Sequence, residues 1–187
     1  MKKLFPILFI SLFCFSFIQS DKREWQFDAG HSRLGFKVMH MGIAELNGSF
    51  DKVEIKATTT NADFTDAVIE MNAEVSSINT GIKMRDEHLA AEDFFNAAKF
   101  PKISFKSSSM KKKGKIYVIK GDFTMHGVTK TVELTATHNG TAKVEGADVA
   151  GFQVSGTIKR SDFGVAPEFK GVADNVTLDA DIEIFVE

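Results

Sequence analysis

Apolar and polar residues alternate along most of this chain. Between positions 176 and 186 every second residue is apolar, and the residues between them are polar or charged as far as Glu183. Such a period of two is typical of β-strands that bury one face and expose the other. The same alternation covers residues 34–38, 67–75, 117–125, 128–136 and 150–158. With shorter apolar runs, the pattern predicts about eight or nine antiparallel strands in an all-β domain.

Dipeptides that contain glycine separate the predicted strands. Asn47-Gly48 and Asn139-Gly140 are typical of tight hairpin turns, because both residue types tolerate a positive φ. Lys113-Gly114 and His126-Gly127 also stand between predicted strands. Several strands are about ten residues long, which fits either a β-sandwich or a closed barrel. Alternation by itself leaves these two architectures open.

One segment, residues 82–98, departs from the period of two and predicts a single short helix. The residues that share one helical face are Met84, His88, Ala91 and Phe95. In a barrel, such a helix is expected near one mouth. Two interpretations stay open. Either Met84, Leu89 and Phe95 plug that end, or the helix is a gate through which an acyl or isoprenoid chain enters.

The same segment carries motifs that recur in a known family, namely Arg85-Asp86-x-His88-Leu89, Asp93-Phe94-Phe95 and Lys99-Phe100-Pro101. Further motifs are Asp28-x-x-His31-Ser32, Phe36-x-Val38-x-His40, Gly121-x-Phe123-Thr124-x-His126-Gly127-Val128-Thr129-Lys130 and Arg160-Ser161-Asp162-Phe163-Gly164. In order and spacing they resemble the YceI-like family over nearly all of residues 25–187. One departure is His126, where the family often has Arg or a similar residue.

The resemblance implies a lipocalin-like fold, a closed antiparallel barrel of about eight strands with one short helical segment near a barrel mouth. It also implies a secreted protein that holds a long isoprenoid or fatty chain. The choice between sandwich and barrel therefore depends on the resemblance and not on the alternation.

The first twenty residues have the layout of a secretory signal peptide. Lys2 and Lys3 precede an apolar run from Leu4 to Ile18, and a charged segment begins at Asp21. The run is shorter than the about 20 apolar residues that span a membrane, which disfavours the alternative of an uncleaved anchor. We therefore expect residues 1–20 to be removed, residues 21–187 to form one lipid-binding barrel domain, and the protein to reside in the periplasm.

Composition narrows the classes of partner. The formal net charge is −2, which argues against nucleic acid as the main partner. The chain has 18 phenylalanines against one Trp and one Tyr, and phenylalanine has no polar group to satisfy. The only cysteine, Cys14, lies in the predicted signal, so no disulfide is expected. This composition favours a dry interior.

Motifs for covalent chemistry are absent from the sequence. It contains no Gly-x-Ser-x-Gly, no phosphate-binding glycine loop and no His-Glu-x-x-His. The five histidines have no short metal-ligand spacing, although His31, His40 and Asp28 are conceivable as a metal site assembled in space. Histidines that form hydrogen bonds at strand ends are the favoured interpretation. We predict no catalytic residue, no metal and no cofactor, and hence a protein that is not an enzyme.

The predicted binding site is the apolar interior of the barrel. Small residues of the same parity, such as Ala67, Ala136 and Ala180, leave space between larger ones. The predicted cavity-lining residues are Phe36, Val38, Ile69, Met71, Phe105, Phe123, Met125, Phe152 and Val154. The candidates for a head-group contact at the mouth are His40, Arg85, His88 and Arg160. For Arg160 the competing interpretation is a structural turn.

The expected partner is an isoprenoid or fatty-chain lipid. Lys111 to Lys115 form a basic hairpin tip that is either simply solvated or makes transient contact with a membrane surface. The family is often dimeric, which adds a homodimer to the expected partners. Two other functions stay open: an exported enzyme acting on a lipid or an isoprenoid diphosphate, with Asp86, His88 or His40 as acid–base groups, and an envelope stress-related interaction protein.

Overall fold

A computed structural model describes residues 21–187 of the chain. The predicted signal peptide, residues 1–20, lies outside the described residues. No helix between positions 21 and 187 has the length and apolar character needed to cross a membrane.

Strands dominate the described part of the chain, which also contains one α-helix and two short 3₁₀ helices. The strands are β1 (Arg23–Phe27), β2 (Arg33–His40), β3 (Ala44–Phe50), β4 (Val53–Thr59), β5 (Val68–Glu74), β6 (Ile78–Asn79), β7 (Lys102–Lys113), β8 (Ile116–Met125), β9 (Val128–Val144), β10 (Ala147–Lys159) and β11 (Val172–Val186). The helix, α1, spans Lys83–Ala90.

The strands form one sheet that closes on itself. Hydrogen bonding follows the order β1, β4, β5, β7, β8, β9, β10 and β11, and β11 also pairs with β1. This ring contains eight strands. β2 pairs with β11 beside β1, β3 pairs with β2, and β6 pairs with β3. Every pairing is antiparallel, so the closed barrel that the resemblance implies is confirmed.

Three of the eight ring positions are long strands interrupted in the middle. β1 and β2 lie one after the other along the same edge of β11. β3 and β4 continue this arrangement, since β3 pairs with β2 and β4 pairs with β1. β5 and β6 form the third interrupted strand. β7 pairs with β5 but not with β6, and α1 contacts β6 at this opening.

The barrel has two distinct ends. One, which we call the helix end, carries the β2–β3 turn, α1, the β8–β9 turn and the loop between β10 and β11. The other, the lysine end, carries the β4–β5 loop, the β7–β8 hairpin with its lysines, and the β9–β10 turn. These ends determine where a ligand could enter.

The two Asn-Gly turns predicted from the sequence are wrong. Gly48 lies inside β3 opposite Phe36, whose ring covers it so closely that a Cβ would sit 2.3 Å from Phe36 Cζ. Asn139 and Gly140 lie inside β9. The reversals occur at Met41-Gly42 and Glu145-Gly146, as well as at the predicted His126-Gly127, and all three pairs have positive φ at both residues.

The predicted helix over residues 82–98 is correct in position but too long. The helix ends at Ala90, because Ala91 adopts an extended conformation with φ −71° and ψ 172°. The chain then folds back into turns in which Phe95 N–H donates to Leu89 O at 3.0 Å. Asn96 has φ 47°, a left-handed conformation that a continuing helix excludes. The apolar spacing that suggested about two more helical turns belongs to this compact turn region.

Candidate functional site

The barrel interior contains an apolar cavity of about 220 Å³. Its lining runs from Phe64 and Tyr117 near the lysine end to Leu89 and Val172 near the helix end. β8 shows how alternation builds the wall, because its buried residues share one parity. These residues are Tyr117, Ile119, Gly121, Phe123 and Met125, and all but the glycine line the cavity.

The structure places eight of the nine predicted lining residues in the cavity wall. They are Phe36, Ile69, Met71, Phe105, Phe123, Met125, Phe152 and Val154. Val38 is half-buried one step further along β2, and it is not among the described residues that line the cavity. Contact of these residues with a ligand stays a prediction.

Small side chains keep the cavity from being filled. Ala57, Ala67, Ala136 and Ala180 are buried and line the wall. Ala136 is flanked in the sheet by Tyr117 on β8 and Val154 on β10. A methyl group beside larger neighbours leaves a space that the neighbours do not close, since interiors relax only in part around missing volume.

Arg160 is a buried residue at the helix end of the lining. Its guanidinium donates Nε–H to Ala173 O at 3.2 Å and Nη1–H to Val165 O at 3.0 Å and to Ala166 O. Nη2 donates to Phe169 O at 2.6 Å and to Val172 O at 3.3 Å. All five N–H groups of the guanidinium are thus used by carbonyls of the β10–β11 loop and of the first two residues of β11. This geometry favours the structural role over the head-group contact.

The other two polar side chains of the lining are also engaged. Asp179 accepts from Arg33 Nη2 at 3.0 Å and pairs with Lys37 Nζ at 3.2 Å. Lys37 and Arg33 hold the pKa of the Asp179 carboxyl below its usual range, with the Lys37 hydrogen bond as the largest cause. Tyr117 donates its hydroxyl to Asp63 O at 2.8 Å. The wall therefore offers a ligand almost only hydrocarbon.

The helix end is covered in part by the turns that follow α1. Leu89, Phe94 and Phe95 line the cavity from this side. The prediction that Met84 joins this plug is wrong, because its side chain is 80% exposed. The reason is the early end of the helix, after which Phe94 and Phe95 reach the interior from turns and not from the helical face that includes Met84.

The remaining head-group candidates lie at the helix end. Arg85 donates Nε–H to Thr80 Oγ1 at 2.7 Å and Nη2–H to Thr80 O at 2.8 Å. His88 pairs through Nε2 with Asp93 Oδ2 at 2.7 Å, and its ring meets the edge of Phe94 at 4.9 Å. His40 is exposed at the end of β2. Of these, His88 contacts a residue of the cavity wall.

Asp28 and His31 lie together in the connection between β1 and β2. Asp28 Oδ2 lies 2.9 Å from His31 Nδ1, and Glu183 is the third ligand-bearing residue within 4.8 Å. The candidate metal set of His31, His40 and Asp28 is wrong in His40, which lies at the far end of β2, and Glu183 takes its place beside Asp28 and His31. The Asp28 hydrogen bond raises the pKa of His31, and the same bond lowers the pKa of Asp28.

The sequence pattern missed Phe64 and Phe94, both of which line the cavity. Phe64 lies in the β4–β5 loop with φ 60°, and its ring meets Trp25 at 5.0 Å and Phe152 at 5.1 Å. It contributes to the lining near the lysine end. The sequence did offer one signal, a lone phenylalanine among polar loop residues. A large apolar side chain in such a loop indicates that the loop folds back and buries it.

Comparisons with known proteins agree with this architecture. The YceI-like domain family matches residues 25–184. A UPF0312 protein of Photorhabdus laumondii is 35% identical over 158 residues, which is 84% of this chain and 80% of that protein. The solved YCEI protein of Campylobacter jejuni is 28% identical with a TM-score of 0.73, and the match covers 79% of this chain and 89% of that one.

A polyisoprenoid binding domain from Saccharophagus degradans has a TM-score of 0.63 over 87% of this chain and 98% of its own. At 14% identity that likeness shows the shared fold alone. The family match covers all eight ring positions of the barrel. Together with the cavity, these findings support a β-barrel binding protein, and the chain belongs to the YceI-like family.

Proposed function

We propose that this protein binds a long-chain isoprenoid or fatty amphiphile inside the barrel, in the periplasm and without covalent chemistry. The observation that carries the proposal is a cavity of about 220 Å³ whose three polar side chains all have partners within the protein. A polar substrate would find no free group there to replace its hydration. A hydrocarbon chain needs none.

The volume of the cavity favours a slender ligand. Its volume is somewhat below the about 300–1,000 Å³ of pockets that bury drug-sized ligands. Each buried CH₂ group contributes about 0.8 kcal/mol, so ten of them contribute about 8 kcal/mol. That is the free energy of a Kd of about 1 μM before the entropy of association is subtracted. Met71 and Met125 add adaptable apolar surface to the wall.

The fold neighbour from Saccharophagus degradans supports the ligand class, because its name describes polyisoprenoid binding on the same barrel. We place the head group at the helix end, beside His88. The ring of His88 packs against Phe94, which lines the cavity, and 57% of its side chain is open to solvent. A polar head at this point would remain hydrated while the chain extends inward.

Mass spectrometry of the natively purified protein tests the proposal. We expect a long-chain lipid to co-purify under non-denaturing conditions, and delipidated protein to take up an isoprenoid alcohol or a fatty acid delivered in micelles. Protein that is repeatedly empty and ignores both probes would contradict it. N-terminal sequencing of exported material, starting near Asp21, tests the periplasmic location, and sedimentation of the same material tests the expected homodimer.

A second candidate, an enzyme acting on a lipid or an isoprenoid diphosphate, is favoured by one observation. His88 and Asp93 form a histidine–carboxylate pair, the arrangement that orients a general base. If the protein turns over such a substrate, His88→Ala should abolish the reaction and leave uptake of the chain intact. We prefer binding, because Asp86, the other acid–base candidate on α1, already accepts a hydrogen bond from the backbone N–H of Thr80 at 2.8 Å.

A further inference from the structure

Exposed apolar side chains collect at the helix end of the barrel. Of the nine large hydrophobic residues that are exposed within residues 21–187, six lie there. We call these six residues the apolar rim: Met39, Met41, Ile43, Ile82, Met84 and Phe169. Ile43 is 86% exposed and Met41 64%. Isolated exposed hydrophobic residues are ordinary, whereas a collection at one end marks an interaction site.

The rim comes from three segments that the fold ties together. Met41 N–H donates to Gly171 O at 3.1 Å, which joins the β2–β3 turn to the β10–β11 loop. Phe169, in that loop, meets the edge of Phe94 at 5.3 Å, which joins the loop to the turns after α1. Arg160 holds the loop through its five carbonyl contacts. The rim is therefore one structure and not three separate tips.

The rim is continuous with the cavity. Phe94 lines the cavity on one side and contacts Phe169 of the rim on the other. Apolar surface thus extends from the interior to the outermost tips without an intervening charged side chain in that contact. The inference drawn from this continuity rests on the proposed function, because a continuous apolar surface matters only if an apolar chain passes along it. Such a chain is dissolved in a bilayer before it reaches a protein.

We propose that the apolar rim docks onto a lipid bilayer, with its tips among the acyl chains and the mouth of the cavity facing the membrane. Lys83 and His88 of α1, beside the rim, have acidic partners: Lys83 lies 3.8 Å from Glu87, and His88 lies 2.7 Å from Asp93 in the following turns. Glu168 and Lys170, which flank Phe169, carry opposite charges. Docking is therefore driven by apolar insertion and not by attraction to anionic lipid. The basic hairpin at the lysine end points the opposite way.

A second copy of the chain fits the rim less well. A large side chain has about 150–250 Å² of surface, so the six partly exposed residues present roughly 600 Å². A stable dimer buries about 800 Å² on each partner in a closely packed patch. A rim of tips around an opening is also poorly suited to flat packing. A bilayer accepts separate tips without shape matching.

Vesicle flotation tests the docking surface with two double variants of the chain, one at each end of the barrel. The rim variant is Ile43→Thr with Met84→Gln, and the control is Ile116→Thr with Val144→Thr, which removes exposed apolar surface at the lysine end. All four residues are exposed, so folding is expected to persist. We expect the rim variant to lose at least ten-fold in partition into neutral phosphatidylcholine vesicles, and the control to match the wild type in low and high salt.

Several results would overturn the docking. One is an equal loss of vesicle partition in the rim variant and the control. Another is wild-type protein that binds only anionic vesicles and only at low salt. A third is a rim variant that changes only from dimer to monomer in sedimentation. Uptake of a fatty acid delivered in micelles separates the two proposals. Normal uptake with no flotation refutes the rim alone, and absent uptake refutes the proposed function.

Discussion

Filling the cavity from the wall is the most direct test of what the barrel interior does. Ala136 is buried on β9, lines the cavity, and lies between Tyr117 and Val154 in the sheet. In Ala136→Leu, three added carbon atoms enter space that the wild type leaves open. Because that space already exists, we expect little strain and a thermal midpoint close to that of the wild type, unlike the usual overpacked core.

The effect on binding follows from the volume removed. Three carbons displace about three methylene groups of a bound chain, each contributing about 0.8 kcal/mol, so the loss is about 2.4 kcal/mol. At about 1.4 kcal/mol per factor of ten, Kd should rise roughly fifty-fold. The control is Thr135→Leu, the neighbouring residue on β9 whose side chain is exposed on the outer face. It places the same leucine side chain on the outer face, where it does not enter the cavity.

Isothermal titration with a fatty acid, or displacement of a fluorescent one, measures both variants against the wild type. The reasoning is refuted if Ala136→Leu is folded and binds as tightly as the wild type. The same holds if Thr135→Leu weakens binding equally, because the effect would then not come from the cavity.

Two further predictions concern stability and titration. Arg160→Met removes five hydrogen bonds and leaves buried carbonyls of the β10–β11 loop without a donor, so urea denaturation should show a loss on the order of 3 kcal/mol, and an unchanged midpoint would contradict the assigned role. His31 and His138 should titrate on opposite sides of 6.5 in NMR, because the hydrogen bond to Asp28 raises the pKa of His31 while burial lowers the pKa of His138. The contribution of His31 to the free energy of unfolding is therefore present below its unfolded pKa and is lost as pH rises through its folded pKa. The contribution of His138 is present above its unfolded pKa and is lost as pH falls through its folded pKa. Identical titration of both would refute this assignment.

Residues on regular strands were predictable from the sequence, because burial there follows a period of two. Phe36, Phe123 and Phe152 all line the cavity, in agreement with the parity of their strands. Val38 shares that parity but lies beyond the lining, since parity says which face a residue occupies and not how far along the barrel it lies. The closed ring itself came from the family resemblance, because alternation fits a sandwich equally well.

Irregular segments were predictable only in part. Asn47-Gly48 has the composition of a turn, yet Gly48 lies inside a strand. Its lack of a Cβ leaves the space that the ring of Phe36 fills. Phe94 and Phe95 reach the interior through turns after Ala90, which the helical spacing of the sequence concealed. The five carbonyl contacts of Arg160 come from a loop that bends back in space and from the start of β11, and no local pattern encodes such a bend.

The strand order has a consequence for how the chain reaches its native state. Each long strand pairs with its neighbour in sequence except at one seam, where the last strand meets the first. At that seam Ser32 Oγ accepts from the backbone N–H of Glu183, 151 positions away. Joining ends so far apart carries a large loop entropy, so we expect the sealing of this seam to be a slow step of folding. Until β11 pairs, β1, β2 and β10 each expose an unpaired strand edge. We therefore expect the pairing of the C-terminal strand to protect the folding barrel against aggregation.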